Sequence, residues 1–84
     1  MKFEVEFVYR HESGSYLFAR HLETGHFTLS ASSRLGGVPI QPWLSQPRKF
    51  KPDGSPDLDV FAFVLTNRLD GDKFSVGQIV ELEA

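Results

Sequence analysis

The chain contains no cysteine and has only one methionine and one tryptophan in 84 residues. Because thiols are absent, disulfides, thiolate metal sites and a cysteine nucleophile are excluded, and the composition suits a reducing compartment. Long hydrophobic runs are also absent. The longest run, residues 60–65, is far shorter than the ~20 residues of a membrane-spanning helix. The acidic residues near the start interrupt what would be the apolar core of a signal peptide. The sequence therefore predicts a soluble, cytoplasmic protein with no membrane segment.

Recognisable catalytic and metal-binding patterns are absent as well. No serine lies in a Gly-x-Ser-x-Gly motif, and there is no Gly-x-x-x-x-Gly-Lys-Ser/Thr loop for a nucleotide. His21 and His26 flank a predicted turn but lack the further ligands that zinc requires. Asp57 and Asp59 share one face of a predicted strand, but the spacing of a calcium loop is missing. The sequence predicts a protein that is not an enzyme, with no catalytic residues, no metal and no cofactor.

The chain is instead rich in the period-two patterns of β-strands. Phe3, Val5, Phe7 and Tyr9 alternate with mostly polar residues, which predicts a strand with these four side chains facing inward. Residues 60–65 are apolar on both faces, as in a central strand. No window has helical spacing. The predicted strands are residues 2–10, 16–22, 26–31, 38–44, 57–66 and 78–83.

The turn signals predict how the first strands are connected. Short turns at residues 12–15 and 23–25, each with a glycine, favour hairpins, so the first three strands are predicted to form a meander. The third of them would place Phe27 and Leu29 on its inward face. The apolar residues of the second strand fall on both faces, so its core face is not determined by the pattern.

The middle of the chain is less regular. Residues 32–37 are predicted to be a loop. Residues 38–44 are predicted to be a short edge strand, because two prolines in it cannot donate to a ladder. Residues 45–56 form a predicted extended surface loop, and residues 67–73 contain a turn signal. Short strands with turn signals every ~10 residues are typical of one all-β sandwich or barrel. We therefore predict that residues 1–84 form a single β-barrel domain.

Positive charge is concentrated in one part of the chain. Residues 10–51 carry a net charge of +4, whereas residues 52–84 carry −5. Such asymmetry can mark a basic face for an anionic partner, although interleaved barrel strands can also mix these charges in space. The segment of residues 43–51 combines cations with aromatic rings, which supply phosphate contacts and stacking surfaces. The predicted binding residues are Trp43, Arg48, Lys49, Phe50, Lys51, Arg20 and Arg34.

Short motifs along the chain resemble a known barrel family. They are Leu22-Glu23-x-Gly25 followed by Phe27-x-Leu29, the segment Asp59-Val-Phe-Ala-Phe-Val-Leu65, and the closing segment Phe74-x-x-Gly77-Gln78-Ile79-Val80. In these motifs the chain, over residues 3–82, resembles the second, β-barrel domain of the translational GTPases such as elongation factor Tu. The resemblance implies a small closed or partly open Greek-key β-barrel of about six strands. The family usually has glycine where Arg20 and Ser30 stand, and this sequence contains no GTPase motif.

Composition, loop and resemblance together predict a non-catalytic binding module that contacts RNA or a ribonucleoprotein through residues 43–51. Two alternatives stand beside this prediction. Trp43 and Phe50 could close one end of the barrel while the cations stay solvated. The loop could also dock a protein partner, or the domain could self-assemble, because the strands are apolar and the net charge is only −2.

Overall fold

Six β-strands and a short helix make up the fold. A computed structural model of the protein describes residues 1–12, 14–23 and 25–83. Ser13 and Thr24, in the two predicted turns, and Ala84 lie outside the described residues. The strands are β1 (Lys2–His11), β2 (Gly14–His21), β3 (Arg34–Leu35), β4 (Val38–Ser45), β5 (Val60–Leu65) and β6 (Ile79–Glu83), and a 3₁₀ helix spans Arg68–Lys73.

The strands close into an antiparallel barrel in the order β1-β2-β5-β4-β3-β6. Strands β3, β4 and β5 lie side by side, and β6 returns to lie beside β3, which is a Greek-key arrangement. The prediction of a small six-stranded all-β barrel is confirmed. The predicted meander is wrong beyond its first hairpin, because β2 pairs with β5, with Tyr16 opposite Val64 and Arg20 opposite Val60.

A β-bulge in β1 changes the face on which its side chains lie. The register against β2 shifts between Val5 and Phe7, so Glu6 is the extra residue. Because side chains alternate with a period of two, one inserted residue moves the following side chains to the other face. Phe7 and Tyr9 are therefore 49% and 45% exposed, and the prediction that they face inward is wrong. Val8 packs against the core in their place.

The predicted third strand, residues 26–31, does not form. Phe27 and Leu29 nevertheless pack against the core. The third strand is β3 instead, which lies in the segment predicted to be a loop and pairs with β4 and β6. Its two-residue connection to β4 is made by Gly36 and Gly37, whose φ angles of +60° and +79° suit the type I′ turn of a tight hairpin.

Strand β4 lies inside the sheet and is not the predicted edge strand. It pairs with β3 on one side and with β5 on the other, because the barrel is closed. Pro42 is tolerated because it lies in the stretch between Ile40 and Leu44, where the register against β5 shifts. Irregular pairing of this kind is where a proline can stand in a sheet without breaking a ladder hydrogen bond.

The core fills the inside of the barrel, and Phe3 lies among its aromatic rings. The Phe3 ring lies 5.3 Å from Phe27 and 5.2 Å from Phe63, both edge to face, which is a geometry that aromatic pairs prefer. Each strand contributes at least one side chain to this core. Its buried members are Phe3, Val5, Leu17, Ala19, Leu35, Val38, Ile40, Phe63, Leu65, Phe74, Val80 and Leu82.

The helix Arg68–Lys73 takes the place of the predicted turn. It begins after Asn67, whose side-chain oxygen accepts a hydrogen bond from the Leu69 N–H. The Ser15 hydroxyl donates to the Arg68 carbonyl over 2.7 Å and so joins the helix to β2. In the described part of the chain no helix has the length and apolar character needed to cross a membrane.

Replacing Gly36 by alanine is expected to lower the free energy of unfolding by about 1–2 kcal/mol, because Gly36 adopts a left-handed conformation. An added Cβ would also lie 3.2 Å from Cγ1 of the buried Val80. Gly37→Ala is the matched control, because Gly37 also has a positive φ but a Cβ there meets no atom within 4 Å. Urea denaturation should rank Gly36→Ala as the less stable variant. Equal stabilities would contradict the close approach to Val80.

Candidate functional site

Exposed and half-buried aromatic side chains form a row on the outside of the barrel. We call the surface formed by Phe7, Tyr9, Tyr16, Phe18 and Trp43 the aromatic face. The Phe7 ring centroid lies 6.4 Å from Tyr9 and 5.8 Å from Phe18. Tyr9 lies 6.1 Å from Tyr16, which lines one pocket with Trp43. Trp43 is 58% exposed. An exposed apolar patch on a small domain commonly marks a contact surface.

Strand alternation explains why β2 contributes two rings to the aromatic face. Leu17 and Ala19 are fully buried, so the residues between and beside them point outward. Tyr16 and Phe18 therefore share the outer face of β2 with Arg20. This surface was not among the predicted binding residues, apart from Trp43. The signal that could have found it is the charge of Arg20, because a charged residue in an alternating strand indicates the solvent face.

An open pocket of about 380 Å³ lies between Tyr16 of β2 and Trp43 of β4. Gln41, Thr66 and Arg68 also line it. Among the described residues, the Arg68 guanidinium has no ion-pair or hydrogen-bond partner. The pocket therefore offers two aromatic rings, a side-chain amide, a hydroxyl and an available cation. Arg68 was not among the predicted binding residues, because it stands in the acidic half of the chain.

The loop of residues 46–59 forms a second pocket, of about 350 Å³. Phe50 and Leu58 are 64% and 61% exposed and line it together with Arg48. A β-bridge within the loop closes it on itself. Because the Trp43 and Phe50 rings are both mostly exposed, the alternative that they close one end of the barrel is wrong. The two rings lie in separate pockets.

Arg20 connects this loop to the barrel wall. Its guanidinium donates to Asp57 Oδ2 over 2.7 Å and to Glu6 Oε2 over 2.6 Å. Lys49 Nζ donates to the other oxygen of Glu6, Oε1, over 2.6 Å. Asp57 is buried, and Glu6 is the extra residue of the β1 bulge. Two of the predicted binding cations, Arg20 and Lys49, thus neutralise two acids and fasten the loop to β1 and β2. We call these four residues the Arg20 network.

The Arg20 network shifts the ionisation of its own members. Burial raises the pKa of Glu6, but the hydrogen bonds from Lys49 and Arg20 outweigh it and hold that pKa below its usual 4.5. The hydrogen bond from Arg20 likewise holds the pKa of Asp57 below its usual 3.8. The hydrogen bonds to Asp57 and Glu6 raise the pKa of Arg20 in turn. Both carboxylates therefore stay ionised further into the acid range than free carboxylates do.

Acidification is expected to destabilise the fold through these two carboxylates. Their pKa values are lower in the folded than in the unfolded chain. Their contribution to stability is therefore fully present above about pH 4.5 and is lost as the pH falls through the folded values. Thermal melting from neutral pH down to about pH 3 should show this loss. In Arg20→Ala the melting temperature should depend less on pH, because Glu6 and Asp57 no longer have the Arg20 guanidinium as a partner. Parallel curves for the two proteins would contradict the assignment.

The remaining predicted cations are not gathered at one place. Arg34 lies opposite Pro39, at the other end of β4 from the loop, and its guanidinium donates to the Gly37 carbonyl. Within residues 1–12, 14–23 and 25–83, the side chains of Arg48 and Lys51 have neither an ion pair nor a hydrogen bond. Arg48 and Lys51 are thus available for an anionic partner, whereas Arg34 is distant from them.

The two histidines beside a predicted turn line a third pocket. His21 and His26 share it with Phe27 and Phe61. The His21 ring stacks on Phe3 with the centroids 4.9 Å apart, and its buried Nε2 atom has no hydrogen-bond partner in the described part of the chain. His21 therefore packs as a member of the aromatic cluster around Phe3. Across the described residues, no three His, Cys, Asp or Glu side chains are arranged to hold a metal ion.

Comparison of the chain with protein families, with curated proteins and with solved structures finds no match.

Proposed function

We propose that this protein is a non-catalytic module that binds single-stranded RNA, free or within a ribonucleoprotein, with its aromatic face. The observation that carries the proposal is the exposed row of rings from Phe7 and Tyr9 through Tyr16 to Trp43. Every base has a flat π surface that can stack on such rings, and stacking contributes about 1–3 kcal/mol per base. A row of this kind can hold several bases without reading their sequence.

The net charge of −2 is compatible with this proposal, because much of the acidity is placed elsewhere or neutralised. Glu81 and Glu83 lie on β6, which pairs with β3 and with the first residues of β1. The acids of the Arg20 network are neutralised by their own cations. Arg68 borders the aromatic face, and Arg48 and Lys51 stand in the loop that is fastened beside it. Phosphate contacts from these cations would make the affinity depend on salt.

The resemblance to the second domain of the translational GTPases supports an RNA or ribonucleoprotein partner. It concerns a small Greek-key barrel, and a fold alone does not determine what it binds. The proposal accordingly includes a role in translation, in which the aromatic face would contact RNA or a ribonucleoprotein.

A fluorescence-anisotropy titration with a labelled single-stranded RNA of about eight nucleotides tests the proposal. We expect saturable binding that weakens as the salt concentration rises, because phosphate contacts release counterions. In a parallel NMR titration, the amide shifts should concentrate on β1, β2 and residues 43–51. An absence of binding at low salt, or shifts confined to β6, would overturn the proposal.

A protein-interaction or self-assembly role is the second candidate, and the loop pocket favours it. Phe50 and Leu58 are exposed around an apolar pocket with Arg48 beside them, and aromatic residues and arginine are common anchors of protein interfaces. Sedimentation at several protein concentrations tests self-assembly. An oligomer that dissociates in the Phe50→Ser/Leu58→Ser variant would support it, and a monomer at every concentration would remove it.

A further inference from the structure

We infer that the pocket between Tyr16 and Trp43 holds one nucleotide of a single-stranded nucleic acid, with its base between the two rings and its phosphate on Arg68. The inference rests on the proposed function and assigns the subsite at which binding has its most specific contacts. The occupant follows from the combination of stacking surfaces, hydrogen-bonding groups and one available cation around a single open pocket.

The size and the strand geometry of the pocket fit one flat base. Its volume of about 380 Å³ lies within the range of about 300–1,000 Å³ that is typical of small-molecule sites. Tyr16 is on β2 and Trp43 on β4, and β5 lies between them with Val64 opposite Tyr16. Two strand spacings separate β2 from β4 by about 10 Å. A base in contact with a ring on each side needs about 7 Å, twice the contact distance of carbon atoms.

The polar groups of the pocket match the rest of a nucleotide. The Gln41 amide has both donors and an acceptor for the edge of a base, and the Thr66 hydroxyl can donate or accept. The Arg68 guanidinium presents a planar set of donors that suits phosphate oxygens. Of the described residues that line the pocket, none is acidic. The pocket is therefore locally cationic in a chain whose net charge is negative.

Two contacts hold the backbone at Arg68 in place. Its carbonyl accepts the hydroxyl hydrogen of Ser15, which is buried at the start of β2. The helix that Arg68 begins is capped by Asn67. Tyr16 follows Ser15 directly in the chain. The hydrogen bond from Ser15 to the Arg68 carbonyl therefore keeps the backbone of Tyr16 close to the backbone of Arg68. The backbone positions from which these two side chains extend thus have a defined separation before a ligand binds.

Trp43 makes the inference directly measurable, because it is the sole tryptophan of the chain. An end-labelled RNA of about eight nucleotides is titrated with the protein, and label anisotropy and Trp43 fluorescence are both recorded. We expect the Trp43 emission to be quenched and to saturate together with the anisotropy. The deoxy oligonucleotide of the same sequence is the second arm. Equal quenching by DNA supports a pocket that holds base and phosphate, and quenching by RNA alone supports an additional contact to the 2′-hydroxyl.

Substitutions at Tyr16 and Arg68 separate the roles of ring and cation. Tyr16→Thr should weaken binding about fivefold or more through lost stacking, whereas Tyr16→Phe should retain it. Arg68→Gln should weaken binding and reduce the salt slope by about one. The charge-matched control is Lys2→Gln, on the part of β1 that pairs with β6, and it should change affinity by no more than about twofold. Circular dichroism confirms that each variant is folded.

The two readouts distinguish failure of the pocket from failure of the proposed function. RNA binding by anisotropy without a change in Trp43 emission would overturn the nucleotide pocket and leave the proposed function standing. Wild-type affinity in both Tyr16→Thr and Arg68→Gln would overturn the pocket as well. No anisotropy change with RNA would overturn both.

Discussion

Replacing Arg20 by alanine is expected to lower the free energy of unfolding by about 2–3 kcal/mol. Breaking a fully buried ion pair by removing one partner costs about 3–5 kcal/mol. The Arg20 side chain is 30% exposed, which places the expected loss below that range. The variant leaves the buried Asp57 and the half-buried Glu6 without their shared donor. For a domain of this size the melting temperature should fall by about 10–20 °C.

Arg10→Ala is the matched control for this prediction. Arg10 pairs with Asp72 over 2.9 Å, but the two side chains are 55% and 79% exposed, so the pair should contribute at most about 1 kcal/mol. Arg20→Met separates charge from packing, because methionine keeps much of the alkyl stem. Urea denaturation at neutral pH measures all three variants. Equal losses for Arg20→Ala and Arg10→Ala would show that the Arg20 network does not stabilise the fold.

The same substitution connects stability with the candidate site. The Arg20 network holds the loop of residues 46–59 against β1 and β2, so its loss should free the loop before it unfolds the barrel. The Asp57 N–H donates to the Lys49 carbonyl over 2.7 Å, and this amide should exchange with solvent faster in Arg20→Ala. Arg48, which precedes Lys49, would then lose the contact that holds the backbone of this loop against Glu6 of β1. Arg20 and Lys49, which the sequence predicts as ligand contacts, therefore hold the loop that carries Arg48.

The all-β class could be predicted because it depends on local pattern. Alternation at the start and the end of the chain, the doubly apolar residues 60–65 and the glycine turns each indicate strands without reference to the rest of the sequence. Strand pairing is different, because it depends on contacts between distant residues. Tyr16 lies opposite Val64, and no feature of either segment indicates that the two strands pair. A meander is the simplest way to connect consecutive strands, and this prediction is wrong because β2 pairs with β5.

The face of β1 could not be predicted, because a single residue reverses it. Phe7 and Tyr9 continue the alternation of the preceding residues, so the period of two shows no interruption at Glu6. What stabilises Glu6 as the extra residue is its pair of hydrogen bonds to cations 14 and 43 residues away. The apolar Val8 is the one local sign that the core position has moved. The aromatic face thus follows from tertiary contacts that the pattern does not contain.

The predicted binding segment, residues 43–51, is contiguous in sequence but divided in space. Trp43 belongs to β4, which ends at Ser45, and its ring faces Tyr16 across β5. Phe50 lies in the loop that turns back over the other end of β1 and β2. The end of β4 therefore assigns the two rings of this segment to separate pockets, which its sequence alone does not indicate.

Replacing Phe7 and Tyr9 together by threonine is expected to weaken binding of single-stranded RNA about 30-fold or more, while the barrel stays folded. Each stacked base contributes about 1–3 kcal/mol, so the loss of two rings removes about 2–6 kcal/mol. Threonine keeps the β-propensity of the strand. Both rings lie outside the core, so the fold should lose only their cross-strand contacts, about 0.2–1 kcal/mol each.

The matched control is Val76→Thr/Ile79→Thr, which removes two apolar side chains that are 70% and 53% exposed. Ile79 lies on β6 opposite Glu4, and Val76 lies in the turn before it, so neither belongs to the aromatic face. Anisotropy with the same labelled RNA measures both double variants beside the wild type. Each double variant loses two exposed apolar side chains, and only Phe7→Thr/Tyr9→Thr loses members of the aromatic face. Binding that fails only in Phe7→Thr/Tyr9→Thr therefore assigns RNA to the aromatic face, and wild-type binding in that variant removes the assignment.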